Sequence, residues 1–251
     1  MATEAVARSR DGLKAPVVLP GRRYDHYFFS GMALLLLATV FEGFARTYYL
    51  AGVFHAPLPS LIIHLHGAAF SCWILLLVAQ TSLVSLGRVD IHRRLGIAGF
   101  VLAILMVILG VMAATDLLVR QGGPPGTDAK FFYIVPLSGM MIFAALIFFA
   151  FRARTNPPAH KRLILVATMA LVVAAIARWP FPIVHSVSAA YRFSYIFLIL
   201  LVAYDLWSTR RIHRATLWAG AFLIFVEQIT KPVGHTTAWH TFAGWVQSLT
   251  R

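Results

Sequence analysis

Seven stretches of this 251-residue chain stay apolar for long enough to cross the hydrocarbon core of a bilayer, a distance that takes ~20 residues of α-helix. They fall at roughly 27–47, 59–84, 94–118, 131–152, 161–179, 190–208 and 215–231. No other property of the chain limits its fold so tightly. Inside hydrocarbon every backbone N–H and C=O must find its partner within the protein, which leaves α-helices and closed β-barrels. The runs are too long and too continuously apolar for barrel strands. The expectation is therefore an all-α, polytopic membrane helix bundle with seven transmembrane helices. Composition agrees: 59% hydrophobic and 12% charged residues, with a mean hydropathy of +0.76, exceed what one soluble core takes up.

The basic residues orient the bundle. With the N-terminus inside, the inner segments hold Arg8, Arg10, Lys14, Arg22 and Arg23, then Arg88, Arg93 and Arg94, then Arg152, Arg154, Lys161 and Arg162, then Arg210, Arg211 and Arg214. The outer segments hold Arg46, Arg120, Lys130, Arg178, Arg192, Lys231 and Arg251. Fifteen of the 22 Lys and Arg are thus inner, and the positive-inside rule predicts N-in, C-out. The net charge of +13 is a topology signal whose partner is the anionic lipid of the cytoplasmic face, not nucleic acid. Residues 1–26 are polar, contain Pro and lack periodicity, as in a disordered cytoplasmic tail; no small-x-small cleavage site follows the first run. The seven-helix domain occupies 27–231. In 232–251, Trp239, Phe242, Val246 and Leu249 recur at helical spacing after Pro232 and Gly234, as in an interfacial amphipathic segment.

Two groups of ionisable residues stand out. Helices 3, 5 and 7 open alike, at His92-Arg93-Arg94-Leu95, His160-Lys161-Arg162-Leu163 and His213-Arg214, so helices 2–3, 4–5 and 6–7 read as three related hairpins. These residues are either a ring of imidazoles or anchors at headgroup depth. Toward the other face an acid precedes a base by four residues three times, in Glu42/Arg46, Asp116/Arg120 and Glu227/Lys231. That spacing puts both groups on one helix face. Each pair is either a local ion pair or part of a shared polar site, since intramembrane ionisable groups face a bundle interior or a wet cavity. Arg178 has no acid at 174 and needs a partner from another helix, a lipid phosphate or an anionic ligand.

The segment Pro59-Ser60-Leu61-Ile62-Ile63-His64-Leu65-His66-Gly67 carries two imidazoles into the outer half of helix 2. With His185, His235 and His240, five of the ten histidines collect toward the face that holds Glu42, Asp116 and Glu227. Residues two apart on a helix point about 200° apart, so His64 and His66 face different neighbours. His64 shares its stripe with Gly67, Ala68 and Ser71, and His66 shares one with Phe70, Trp73 and Gln80, which makes His66 the candidate for the site. Three functions remain open. A haem b or quinone carrier would pair His64 or His66 with His185 or another outer histidine. A divalent-metal site, for hydrolytic chemistry, would draw on His66, His235, His240, Asp116 and Glu227. A transporter, sensor or structural subunit would use the same polar site, with Glu42, Arg46, Arg178 and Lys231, as a proton or substrate relay. Cys72 is the only cysteine, which excludes an intramolecular disulfide or a CxxC site.

The run from His64-Leu65-His66-Gly67 through Gln80-Thr81-Ser82-Leu83-Val84, Gly87-Arg88-Val89-Asp90 and His92-Arg93-Arg94-Leu95-Gly96 resembles uncharacterised multi-spanning bacterial inner-membrane families, domains of unknown function. It is also similar to the helix pairs of cytochrome b561-like proteins, where one histidine lies in a helix and another opens the next. The resemblance covers residues 64–96 and implies a bacterial inner-membrane location, with no established activity. His92 lies at the opposite face from His64 and His66, so these two groups cannot clamp one haem.

Overall fold

The computed structural model describes residues 24–57, 59–184 and 186–249. Nearly all of residues 1–26, together with His185 and Arg251, lie outside them. The described chain forms eight α-helices and no strand: α1 (Asp25–Phe44), α2 (Leu61–Ser85), α3 (Val89–Val119), α4 (Ala129–Arg152), α5 (Pro157–Ile176), α6 (Val187–Thr209), α7 (Arg214–Gly234) and α8 (Thr237–Leu249). A π-helical turn, Ala45–Tyr49, continues α1. Local sequence sets the ends. Asp128 accepts from the backbone of Lys130 and Phe131, Asn156 from Ala159, Ser186 from Ala189 and His213 from Ala215, so four helix starts are capped by their own side chains. Pro157 and Pro158 fill the first turn of α5, where no donor is lost. Pro232 sits in the last turn of α7, and the helix ends at Gly234.

Six helices, α1 with its π turn and α2 to α6, are long and apolar enough to cross a membrane. The expected seventh, α7, is as long as α5, but Glu227, Gln228 and Lys231 make it too polar to count with them. α7 nevertheless packs within the bundle, against α4 and α5. The centre of the bundle is α5, of whose most apolar window 61% is buried, against 22% for α2. It is apolar on every side, as a helix enclosed by neighbours must be, and α1, α4, α6 and α7 surround it. α2 and α3 form an outer pair, α2 on α1 and α3 on α4, and α8 lies across α3 and α4. The outer surface is strongly apolar, with Ile97, Ile104, Ile199, Trp218 and Phe225 all more than 60% exposed. Water does not tolerate so large a greasy surface; lipid requires it.

Helix pairing defines two ends. The starts of α1, α3, α5 and α7 meet the ends of α2, α4 and α6 at the end that carries most of the described basic residues. At the far end, Gly43 lies against the backbone of Ala175, where a Cβ would run into the Ala175 carbonyl, so α1 and α5 pack with main chains almost touching.

Candidate functional site

At the far end the three acid/base pairs part ways. Only Asp116 and Arg120 meet, with Nε to Oδ1 at 2.9 Å, and the Ser60 hydroxyl reaches Asp116 Oδ2 at 3.4 Å. Glu42 and Arg46 are both exposed and form no ion pair among the described residues; the Arg46 guanidinium lies 5.7 Å from the Phe54 ring centre instead. The π turn that begins at Ala45 is the reason, because an i→i+5 turn rotates Arg46 off the stripe of Glu42. Lys231 turns away from Glu227 and donates to the Ser188 hydroxyl. Glu227 is left 5% exposed, with no hydrogen-bond partner for Oε2 among the described residues. Tyr191 and Tyr195 of α6 lie beside its carboxyl, and Gln228 donates to the Tyr195 hydroxyl at 3.1 Å. Arg178, exposed, donates to the Ala174 carbonyl and covers the Phe44 ring at 4.9 Å, with no carboxylate against it among the described residues.

Among the described residues, the histidines of the far end do not converge on one site. His64 is exposed, with Nδ1 3.2 Å from the Tyr48 hydroxyl. Its stripe packs on the π turn: Gly67 fits under Tyr48, and Ser71 pairs with the Tyr49 hydroxyl at 2.8 Å. His66 turns inward, half-buried, with its ring 4.1 Å from that of Phe70 and Nδ1 without a partner among the described residues. His235 stacks on Phe131 at 4.3 Å, and His240 Nδ1 lies 3.5 Å from Asp128 Oδ2. His235, His240 and Asp128 border one surface depression, whereas His66, Asp116 and Glu227 lie elsewhere. Among the described residues no three or more His, Cys, Asp or Glu side chains are grouped so as to hold a metal ion. His185, the expected second haem ligand, lies outside them.

The densest polar centre is one that sequence reasoning passed over, and it sits at the basic end. Asp205 of α6 is fully buried; Oδ1 accepts from Nε and Nη2 of Arg162, and Oδ2 accepts from the His213 backbone at 3.0 Å and the Thr216 hydroxyl at 2.6 Å. Arg162 also donates to the Pro158 carbonyl. Beside this pair, Asp25 receives Lys161 and the Tyr204 hydroxyl, while both cations face the Phe29 ring. The network ties α1, α5, α6 and the start of α7 together. Burial, then the Arg162 guanidinium, pushes the His213 imidazole below its usual range. A signal was present in the sequence: Asp205 is the lone acid of α6 and has no base three or four residues away, so its partner has to come from another helix.

Among the described residues, fold and polar centres together define a class, a multi-pass helical membrane protein with a satisfied charge network at its basic end and, toward the far end, a buried carboxyl with no cation against it and one oxygen without a partner. No family model matches the chain, and neither a curated protein nor a solved structure matches it.

Proposed function

We propose that this protein is a multi-pass bacterial inner-membrane transporter or sensor whose working group is the Glu227 carboxyl, a binding point for a proton or a small cation. One observation carries the reading: an acid 5% exposed, with an unpartnered oxygen, whose neighbour Lys231 is engaged elsewhere. A buried carboxylate with no cation against it is too costly to persist, so this group needs a proton or a bound cation. Tyr191 and Tyr195 supply hydroxyls beside it. Pro136 in α4 and Pro232 in α7 interrupt backbone hydrogen bonding in helices near this region, as in sites built from broken helices. Among the described residues the side chains of the metal reading are not grouped to hold an ion, and His185, the haem partner named from the sequence, lies outside them, so the carboxyl reading is preferred.

In this reading α7 is the seventh crossing. Leu217, Trp218, Phe225 and Ile229 give it an exposed apolar face suited to lipid, while Glu227 and Thr230 point into the bundle. The basic end faces the cytoplasm and its anionic lipids, which sets the N-terminus in, and α8 lies in the outer interface with Phe242, Trp245 and Leu249 toward lipid. Reporters in the 153–156 and 122–127 connections then face opposite compartments, the first cytoplasmic. In proteoliposomes under an imposed ion gradient, a pH-sensitive dye inside the vesicles records proton movement. Wild type is expected to move protons and to show a carboxylic acid band in infrared difference spectra, both lost in Glu227→Gln. A folded Glu227→Gln variant that keeps the band and the flux refutes the assignment.

A further inference from the structure

At the basic end, remote from Glu227, α2, α3 and α5 enclose a cavity of about 60 Å³, open on one side and bordered by Trp73, Gln80, His92, Gly96, Phe100 and His160. Two of the three helix-opening histidines of the repeated hairpins therefore meet at one place. Gln80 comes in against the first turns of α3 and lies over Gly96, where a Cβ would be in ordinary contact with its amide at 3.6 Å and a longer side chain would press on it. Its amide is oriented by its surroundings, the nitrogen donating to His92 Nδ1 at 2.7 Å and to the His92 carbonyl at 3.2 Å, the oxygen accepting from the Gly96 N–H at 3.0 Å.

With the Gln80 amide assigned in this sense, the contacts assign both tautomers. A ring nitrogen that accepts carries no proton, so the proton of neutral His92 is on Nε2. His160 Nδ1 lies 2.8 Å from the Ala150 carbonyl, which can only accept, so Nδ1 carries the proton and Nε2 offers a lone pair. The two rings thus leave one donor and one acceptor for a guest, in walls that are otherwise carbon. An anion is ill suited, because a lone pair would face it. The volume equals about two waters at ~30 Å³ each, but an ordered water wants 2–4 polar partners, which these walls do not supply to two. An aromatic ring needs a cavity of ~150 Å³ to be fully enclosed. Here one enters by its edge and leaves the remainder in the open side.

We propose that this cavity binds the hydroxyl-bearing edge of a lipophilic aromatic ring, a phenol or quinol drawn from the membrane. A single hydroxyl accepts from His92 Nε2–H and donates to His160 Nε2, while the ring lies between Trp73 and Phe100. The inference stands apart from the role of Glu227 and survives if that reading fails. Its test uses the full chain in nanodiscs of zwitterionic lipid, titrated calorimetrically with para-hexylphenol and with its methyl ether, which accepts a hydrogen bond but cannot donate one. Saturable binding of the phenol is expected, with the ether about tenfold weaker, the order set by one buried acceptor left unpaired. His160→Phe should bind both alike, and Gly96→Leu, which extends a side chain toward Gln80 while favouring helix, should bind neither. Size-exclusion profile and helicity report folding of each variant. Absence of saturable binding, equal affinity of phenol and ether for wild type, or unchanged binding in a folded Gly96→Leu protein overturns the proposal.

Discussion

Replacing Asp205 by Ala should be among the most damaging single changes to this protein. Asp205 is 0% exposed and the Arg162 side chain is 4% exposed, so loss of the carboxylate leaves a guanidinium out of water with only the Pro158 carbonyl. It also strips the His213 N–H and the Thr216 hydroxyl of their acceptor. Breaking a buried pair from one side costs about 3–5 kcal/mol. Asp116→Ala breaks a pair of the same chemistry, but its members are 60% and 23% exposed, and such a pair is worth ~0–1 kcal/mol. The double change Arg162→Met with Asp205→Leu removes both charges together and should recover most of the loss. About 1–3 kcal/mol should remain, because His213 N–H and Thr216 still lack an acceptor. Reversible unfolding of the purified protein in mixed micelles by added SDS, followed by circular dichroism, gives the three differences on one scale. A loss in Asp205→Ala no larger than in Asp116→Ala refutes the burial argument. A double variant no better than the single one refutes the charge argument and leaves packing as the cause.

Two further outcomes follow from the same contacts. The folded protein holds the His213 imidazole below its ordinary value of 6.5, so the unfolded chain takes up a proton first as pH falls. Stability is full above about 6.5 and declines below it until the folded group also titrates; micellar unfolding midpoints from pH 8 to about 5 should show this slope, and His213→Asn, which keeps a cap on α7, should flatten it. Gly43→Leu should force α1 from α5 at the Ala175 carbonyl and cost ~1–3 kcal/mol or more, since backbone cannot yield as a side chain does, whereas the same change at Gly31, where nothing lies within 4 Å, should be close to neutral in the same assay.

Much of the architecture was legible because hydrocarbon leaves a chain few choices: apolar runs bounded by basic turns mark helices whatever they pack against. The boundaries slipped where polarity and helicity part company. Val89–Arg93 and Pro157–His160 are too polar to extend an apolar run, yet they form the first turns of α3 and α5. α7 departs the other way, as a helix of spanning length that Glu227, Gln228 and Lys231 make less apolar than the six others. Tertiary placement was out of reach. His92 and His160 share a motif, but nothing in that motif tells that Gln80, from the preceding helix, meets His92 at the cavity.

The ionisable residues show why spacing alone sorts function poorly. Glu42/Arg46, Asp116/Arg120 and Glu227/Lys231 have identical spacing and three fates. The rule that places i and i+4 on one face holds only where α geometry persists, which excludes Glu42 and Arg46 at a π turn. It decides the outcome only where no better partner is near. Asp116 has Ser60 as its other neighbour and takes Arg120, while Lys231 finds Ser188 and leaves Glu227 among the tyrosines. The converse is the sharper signal. An acid in an apolar run with no base within one turn must be matched across the bundle, as Asp205 is by Arg162. Arg178 obeys no such rule, because a long cation can turn back to its own carbonyls and an aromatic face, whereas a short carboxylate deep in a helix cannot. In this chain the unmatched acid carries more information than the unmatched base: Asp205 marks the scaffold, and under the proposed function Glu227 marks the site.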